Sequence, residues 1–429
     1  MSIEKKSKVA LAKESTIEES VAKVFELMGG IENMIEPGTT VVLKPNAGHA
    51  APPESSVCTS PDMVRAVIRE LKTKTKVRKI IIAEAAAVGC DTMQCFEASG
   101  IKAVADEEGV ELRDIKADKD LINMAVHGYH SNIKHVKIPR FLLEADHVIN
   151  LPILKAHASM VFSCALKNIK GVVQDAVHLQ MHQDNLTMAM MDVWWAVRAD
   201  INIVDAWNAA GGYSPHTPTP LHVGCVLGSY DPVAVDLVAS SMVGIKPDMV
   251  SYFKVAAEVG MGASSMDQIE IVGADFEKCK TKMWVPYIED ITTRWPEYDV
   301  RCNGACSSCQ AVMTLNMETL KAIGAYEKFS DTVVVAGGKN TVGPDVDDSK
   351  LVLHGNCTRK YLKDHPNARW IEGCPPGEPL LYITISEGHL PERPEIGRQI
   401  MERDQPVWRQ YVDERAKEFY AKHKELKKN

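Results

Sequence analysis

The sequence lacks any uninterrupted apolar run near the roughly 18 residues that a membrane-spanning helix needs. It also lacks excess positive charge: the formal net charge of the 429 residues is -8, which argues against nucleic acid as a partner. No apolar stretch of signal-peptide length follows the first residues. We therefore expect a cytoplasmic protein with reduced thiols and no membrane partner.

Glycine-rich phosphate loops are missing as well. The chain contains neither Gly-x4-Gly-Lys-Ser/Thr nor a Gly-x-Gly-x-x-Gly run after its first predicted strand. Because those loops bring backbone amides close to phosphates, their absence leaves ATP and NAD without support as cofactors.

Cysteine, in contrast, is abundant and unevenly placed. Five of the eleven cysteines lie in one late stretch: Cys302, Cys306, Cys309, Cys357 and Cys374. The first three form a Cys-x3-Cys-x2-Cys run in a Gly/Ser-containing loop, and the other two each follow a short apolar run. This arrangement predicts an iron–sulfur site and favours a [4Fe-4S] cofactor.

A cubane cluster needs four protein thiolates, so one of the five cysteines is in excess. We predict Cys306, Cys309, Cys357 and Cys374 as ligands and treat Cys302 as the doubtful fifth. Zinc and unligated thiols are the alternatives by ligand type. Radical S-adenosylmethionine enzymes also use this triad, but they usually have an aromatic residue where Ser308 stands here.

The other six cysteines are scattered in poor ligand spacing, and we expect most of them to be buried small apolar residues. They are Cys58, Cys90, Cys95, Cys164, Cys225 and Cys279.

The first 275 residues alternate β-branched runs with helical patterns, which predicts an α/β fold: a mostly parallel twisted sheet flanked by helices. A Ser-Pro pair at Ser60 and an Asp-Pro pair at Asp231 each predict a helix start. The predicted strands are Val9 to Lys13, Thr40 to Lys44, Lys79 to Glu84, His147 to Leu151, Ile201 to Asp205, Val223 to Leu227 and Ile269 to Val272.

We predict a linker over 276–300 and a smaller α/β iron–sulfur domain over 301–386. In that domain a helix over Gln310 to Ala325 precedes three short strands, and Cys357 and Cys374 follow the second and third strands. Ligands of open parallel sheets bind beyond the carboxyl ends of the strands, which agrees with these positions. Residues 387–429 predict a charged helical tail that packs on the body or on a neighbouring subunit.

Polar residues follow several buried strands of the first unit, where they would gather at one rim of the sheet. Such cations suit the carboxylate or phosphate of a small anionic substrate or cofactor. We predict Lys44, Asn46, Lys167 and Asn168 as substrate-binding residues, and Lys155, His157 and Asp205 as catalytic residues.

His157 could transfer a proton near neutral pH, and Asp205 ends a strand where it could serve as a base or pair with the cations. For Asp231 we expect helix capping rather than chemistry. His178 and His182 have the i, i+4 spacing of a metal site, but no Glu accompanies them, so we expect surface or core histidines.

Four pieces of the first unit resemble the family known as domain of unknown function 362, over residues 38 to 245. The pieces are Val41-Val-Leu-Lys-Pro-Asn; Leu151-Pro-Ile-Leu-Lys-Ala-His with Ala165-Leu-Lys-Asn-Ile-Lys-Gly; Ile203-Val-Asp-Ala; and Ser229-Tyr-Asp-Pro-Val-Ala-Val-Asp. Members often carry an iron–sulfur module of ferredoxin type, so the resemblance implies a cluster. This chain departs from that pattern because it has no paired Cys-x2-Cys-x2-Cys-x3-Cys-Pro runs.

Together these observations predict a cytoplasmic oxidoreductase that couples a [4Fe-4S] cluster to a small anion at the Lys/His rim. The alternatives are an iron–sulfur lyase or sulfur-transfer enzyme with an exchangeable thiol at Cys302, and a non-enzymatic electron carrier or maturation factor that docks a redox partner protein. A homodimer is the default expectation for oligomeric state.

Overall fold

The computed structural model describes residues 6–126, 131, 133–158, 160–183, 186–285, 295–305, 307–322, 326–377, 380–385 and 406–422. Within these ranges the strands are β1 (Ser7–Ala12), β2 (Thr40–Pro45), β3 (Lys79–Glu84), β4 (Glu111–Asp114), β5 (Leu121–Ala125), β6 (His135–Pro139), β7 (His147–Leu151), β8 (Ile153–His157), β9 (Val161–Ser163), β10 (Ile201–Tyr213), β11 (Thr217–Ser229), β12 (Ile269–Gly273), β13 (Asp299–Arg301), β14 (Val333–Ala336), β15 (Leu351–His354) and β16 (Arg369–Ile371).

The α-helices in the same ranges are α1 (Ile17–Met28), α2 (Pro61–Lys74), α3 (Thr92–Ala98), α4 (Ile101–Glu108), α5 (Arg140–Leu143), α6 (Ala165–Asn168), α7 (Asp175–Gln183), α8 (Leu186–Ala196), α9 (Pro232–Met242), α10 (Ser251–Glu258), α11 (Phe276–Cys279), α12 (Ser307–Ala322), α13 (Leu380–Ile385) and α14 (Pro406–Lys422).

The large sheet has the strand order β12-β1-β11-β10-β7-β2-β3-β4, with the β8–β9 hairpin attached to β10. Pairing from β10 through β7, β2 and β3 to β4 is parallel, whereas β11 runs antiparallel to both β10 and β1. The central strand β2 is buried along its whole length, as expected for a strand covered by helices on both faces.

The small sheet has the order β13-β14-β15-β16, and all of its neighbouring pairs are parallel. One face packs on α12 and α13 through Met313, Met317 and Leu381. Because the strands are parallel, their carboxyl ends share one edge, and the loops that follow them meet there.

Side-chain caps explain where the main helices begin. Thr16 and Glu19 form a capping box at α1, since each side chain accepts the other residue's backbone N–H. Ser60 caps α2 and Asp231 caps α9, each followed by a proline at the first helical position, as the sequence predicts.

A small apolar cluster joins the two sheets. Leu315 of α12 packs with Ala158 and Tyr213 of the first unit, with Trp284 of the predicted linker and with Val412 of α14. The same helix places Ala311 in the main core of the first unit. The part of the predicted tail that the structure describes, α14, therefore packs on the body of its own chain, over the junction between the sheets.

The predicted fold class, a mostly parallel sheet flanked by helices, is confirmed. All seven predicted strands of the first unit are present, although β10 and β11 extend well beyond the predicted ends to form a long hairpin. The sequence missed β4, the β5–β6 pair, the β8–β9 hairpin and β13. No helix in the described ranges is both long enough and apolar enough to cross a bilayer.

Candidate functional site

A buried ion pair lies at the carboxyl end of β2 and β3. The Lys44 ammonium is 2.9 Å from Glu84 Oε2, and both side chains are buried. Glu84 also accepts the backbone N–H groups of Ala47 and Ala85, at 3.0 and 2.9 Å. Burial lowers the pKa of Lys44 and raises the pKa of Glu84, while their mutual attraction opposes both shifts.

Gly171 covers this ion pair. A Cβ atom at Gly171 would lie 1.9 Å from Glu84 Oε1 and 2.8 Å from Lys44 Nζ, so only glycine leaves room for the pair. The Gly171 carbonyl also accepts the Ala85 N–H at 2.9 Å. Lys44, which the sequence places among the ligand-binding cations, is thus enclosed and its partner is Glu84.

Four asparagine side chains form a continuous hydrogen-bonded row across the sheet. Asn46 donates to Asn168 (2.8 Å), Asn168 to Asn150 (2.8 Å) and Asn150 to Asn202 (2.9 Å). Lys155 donates to Asn46 Oδ1 at one end (2.9 Å). At the other end Asn202 donates to the Ser229 carbonyl at 3.2 Å. We call Asn46, Asn168, Asn150 and Asn202 the asparagine row. The predicted ligand residues Asn46 and Asn168 are two of its members.

Beyond the row, three lysines and three histidines form a group that we call the cation cluster: Lys155, Lys167, Lys170, His49, His157 and His216. The charged groups that lower the pKa of both His49 and His157 are Lys155, Lys167, Lys170 and His216. The rings of His49 and His216 meet edge to face at 5.7 Å between centroids. The structure thus brings the predicted residues Lys155, His157 and Lys167 together.

Burial and like charge set the ionisation of the cluster. Burial, together with the neighbouring lysines, lowers the pKa of His157 well below its usual range and that of His49 to about 3. Burial also lowers the pKa of Lys155 to about 8. His49 and His157 are consequently neutral, and an anion bound here would raise the pKa of both imidazoles and of Lys155.

His157 ends β8, and the hairpin that carries it has an unusual backbone. Val161, opposite His157 in the pairing, has φ of 70°. It forms a tight turn in which the Phe162 N–H donates to the Met160 carbonyl at 2.8 Å. A β-branched residue with positive φ is strained, and such strain is common beside functional residues.

Asp205 lies apart from the cations that the sequence pairs with it. Its carboxylate accepts the backbone N–H groups of Ser60 (2.8 Å) and Trp207 (3.1 Å). It lines a small pocket of about 170 Å³ together with Cys58 and Asn208. Burial raises the pKa of Asp205 to about 6, so it could exchange a proton in the neutral range.

The cysteine residues of the second unit follow the strands of the small sheet. Cys302 follows β13 directly, Cys309 lies in the first turn of α12, Cys357 comes three residues after β15 and Cys374 three residues after β16. We call these four residues the cysteine edge. Cys306, also predicted as a ligand, lies outside the described residues.

Contacts between successive loops hold the cysteine edge together. The Asn303 N–H donates to Asn340 Oδ1 at 2.8 Å, and the Asn356 N–H donates to the Gly373 carbonyl at 3.0 Å. A Cβ on Gly338 would lie 3.3 Å from the Cys357 carbonyl oxygen. A Cβ on Gly355 would lie 3.4 Å from Cys309 Sγ, which places that thiol at the end of β15.

The thiols differ in exposure. Cys302 and Cys309 are buried, Cys374 is half-buried and Cys357 is exposed. The Cys302 thiol contacts Met313 Sδ at 3.9 Å within the apolar core. In the described part of the chain, no three His, Cys, Asp or Glu side chains are grouped closely enough to hold a metal ion.

His354, the last residue of β15, is a further polar residue at this edge. It is 0% exposed, and both ring nitrogens lack a hydrogen-bond partner among the described residues. Burial lowers its pKa to about 3, so the imidazole is neutral. His354 lies two residues after Val352, so its side chain is on the sheet face that packs on α12.

Sequence reasoning missed Glu84, His49, His216 and His354. Glu84 is a charged residue at the end of an apolar strand, which is the same sequence signal that identified Lys44 and Asp205. His178, in contrast, agrees with the core expectation: it is buried and its Nε2 bonds the Lys170 carbonyl at 2.6 Å. Five of the six scattered cysteines are buried, as expected, and Cys90 is half-buried.

The fold and the site define an α/β protein with a cation cluster at the rim of one parallel sheet and cysteines at the rim of another. Residues 41–241 match the family described as Domain of unknown function (DUF362). This range contains the ion pair, the asparagine row and the cation cluster.

Similar proteins include one sequence relative and two solved structures. The chain is 24% identical over 257 residues to a thylakoid-associated protein of Synechocystis sp., covering 58% of this chain and 76% of that protein. It is 13% identical to the lactate racemase apoprotein from Thermoanaerobacterium thermosaccharolyticum, with a TM-score of 0.37 over 90% of this chain and 91% of the other. A Thermotoga maritima protein has 13% identity and a TM-score of 0.35 over 82% and 78% of the two chains.

Proposed function

We propose that this protein is an iron–sulfur oxidoreductase that binds a [4Fe-4S] cluster at the cysteine edge and a small anionic substrate at the cation cluster. The observation that carries the proposal is the path of α12. Its first turn holds Cys309, and further along it contacts β9 of the β8–β9 hairpin, while Leu315 shares an apolar cluster with Ala158. The two candidate sites therefore share one helix.

The donor types suit such a cofactor, and the ligand set would be completed by Cys306, which lies outside the described residues. Cysteine thiolates are the usual ligands of iron–sulfur clusters, and neighbouring loops bring Cys309, Cys357 and Cys374 to one edge. Cys306 belongs to the same loop as Cys309 in the sequence. When bound, the cluster would supply one-electron chemistry.

The residues of the cation cluster would bind and orient the anion. Lys155, Lys167 and Lys170 supply positive charge, while the asparagine row holds Lys155 in place through Asn46. A bound anion would offset the lysine charges and raise the pKa of His157, so His157 would take up a proton mainly when substrate is present. Lys44 and Glu84 would not contact the anion; they would form a buried ion pair that stabilises the strand ends next to the site.

Cys302 argues against the sulfur-transfer alternative. An exchangeable thiol must be accessible, but Cys302 is only 8% exposed and contacts Met313.

Iron and sulfide analysis of protein purified without air tests the cofactor. We expect equal amounts of iron and acid-labile sulfide in the wild type, and at least a twofold loss in Cys309→Ser and Cys357→Ser. Cys225→Ser, which changes a buried cysteine of the first unit, is the matched control and should keep its iron. A folded wild-type protein without iron would contradict the proposal.

Anion binding tests the second part of the proposal, the substrate site at the cation cluster. Oxalate should bind the wild type and alter the electron paramagnetic resonance spectrum of the reduced cluster. Lys167→Ala should weaken oxalate binding about tenfold or more, and His157→Ala should retain binding but lose the coupled proton uptake. Unchanged binding in Lys167→Ala would remove the cation cluster from the proposal.

A further inference from the structure

The unpartnered imidazole of His354 requires an explanation. A buried donor or acceptor without a partner typically costs about 1–3 kcal/mol. Both nitrogens of His354 are in this state in the part of the chain that the structure describes. Such a residue at the end of a buried strand is expected to have a partner that is not a described protein group.

The position of His354 narrows the choice of partner. The next residue is Gly355, beside Cys309 Sγ, and Cys357 follows two residues later. Its neighbours in the sheet are Ala336 of β14 and Ile371 of β16, neither of which has a polar side chain. The ring thus lies on the α12 face of the sheet, at the rim where the cysteine loops meet.

We propose that His354 donates a ring N–H hydrogen bond to a sulfur atom of the iron–sulfur cluster at the cysteine edge. The inference rests on the proposed function, because it requires the cluster. Donation suits this position better than iron ligation, since the five late cysteines already exceed the four thiolates that a cubane needs.

Such a bond would tune the reduction potential. Reduction adds negative charge to the cluster, and an N–H donor to sulfur stabilises that charge, so the bond raises the potential. His354 would therefore be a positioning and tuning residue. A buried water molecule is the other candidate partner of the ring, and it would leave the potential independent of His354.

The test compares His354→Leu, His354→Gln and the wild type, all purified without air. The control is His365→Gln, which changes another buried histidine of the same unit whose Nδ1 already bonds Asp348 at 2.7 Å. We expect unchanged iron and sulfide in every variant. The midpoint potential should fall in His354→Leu, fall less in His354→Gln because its amide can still donate, and stay constant in His365→Gln.

Labelling the histidines with ¹⁵N gives a second measurement. Pulsed electron paramagnetic resonance of the reduced protein should detect a weak nitrogen coupling in the wild type and in His365→Gln, and none in His354→Leu. If His354→Leu fails to fold, the same measurements on His354→Gln decide the question.

Two results would overturn the inference about His354 and leave the proposed function standing. One is a midpoint potential and a nitrogen coupling that do not change in His354→Leu. The other is loss of iron from a folded His354→Leu protein, which would make the residue a ligand. An iron-free wild type would overturn the proposed function and this inference together. The two failures are therefore distinguishable.

Discussion

The absence of a side chain at Gly171 makes room for the buried ion pair between Lys44 and Glu84. Because a Cβ there would overlap Glu84 and approach Lys44, Gly171→Ala must displace the buried ion pair. Overpacking of this kind typically costs about 1–3 kcal/mol. We expect a lower free energy of unfolding, measured by urea denaturation.

Gly48 provides the matched control from the same region. A Cβ on Gly48 meets no described atom within 4 Å, and its φ is outside the left-handed region. Gly48→Ala should therefore be neutral or raise stability by up to about 1 kcal/mol, because it restricts the unfolded chain. Equal losses in the two variants would show that the space around the ion pair is unimportant.

The lowered pKa of Lys155 predicts that anion binding depends on pH. Its pKa, lowered by burial to about 8, means that the ammonium loses its proton as the pH rises through that value. The positive charge that attracts an anion is then lost, so oxalate affinity should fall by up to about tenfold per pH unit above pH ~8. Oxalate keeps a constant charge above about pH 6, which makes calorimetric titration a direct measurement.

Two variants define what this pH profile reports. Lys155→Met should bind oxalate weakly with little change between about pH 7 and 9, since the titrating group is gone. Lys254→Met, which removes an exposed lysine of α10, should reproduce the wild-type profile. A profile that persists in Lys155→Met would assign the titration to another group.

Single residues also mark the limit of sequence reasoning. Lys155, His157 and Lys167 could be grouped from the sequence because all three come soon after the buried strand that ends at Leu151, although Lys155 and His157 lie within β8, a strand that the sequence did not predict. Lys44 carries the same signal, yet its partner Glu84 lies 40 residues away. Whether a lysine at a strand end faces a ligand or a carboxylate depends on packing between strands, which a single sequence does not specify.

At the level of elements, the start of α9 is more heavily bonded than an ordinary helix cap. Asp231 accepts the N–H groups of Val233 and Ala234, and in addition the Ser7 hydroxyl at 2.6 Å and the Ala263 N–H at 2.9 Å. We expect Asp231→Ala to cost about 2 kcal/mol or more, because both neighbouring segments lose a partner. Thermal unfolding measures the loss.

Asp91 is the control for this prediction. It caps α3 through one bond, from the Gln94 N–H at 2.9 Å, at an exposed position. Asp91→Ala should cost about 1 kcal/mol, as a cap alone does. A similar loss in both variants would mean that the contacts of Asp231 beyond its helix contribute little.

Helix starts and buried strands were predictable because their signals are local. The Ser-Pro and Asp-Pro pairs located the starts of α2 and α9 within a residue. The β8–β9 hairpin was missed because it depends on the positive φ of Val161, which a β-branched residue does not signal. The edge strands β4 and β5 were missed for another reason: their residues are mixed in polarity and none of them is fully buried.

On the scale of the whole molecule, α14 fastens the two sheets together through Val412, which is 0% exposed. Val412→Asp would bury a charge in this apolar cluster and loosen the junction. We expect the wild type to unfold in one urea transition and Val412→Asp to unfold in two, one for each sheet. Tryptophan fluorescence can follow the process, since Trp284 lies in the junction and Trp370 in the second sheet.

Lys417→Asp introduces the same side chain on the exposed face of α14 and is the control. It should leave one transition. Two transitions in the control, or one in Val412→Asp, would indicate that α14 does not link the sheets.

The fold class was predictable because alternation of apolar strands and helices is repeated along the whole chain. The junction was not, because Ala158, Leu315 and Val412 are ordinary apolar residues whose meeting depends on how separate elements assemble. The [4Fe-4S] cluster and the cytoplasmic location stay predictions.

The asparagine row has one further consequence. The charged Lys155 ammonium can only donate hydrogen bonds and the Ser229 carbonyl can only accept them, so every amide side chain between them points the same way. A lysine that has lost its proton still has N–H groups to give. Lys155 can thus lose its positive charge beside a bound anion while the asparagine row keeps its hydrogen bonds. The anion site then responds to pH without a rearrangement of the protein interior.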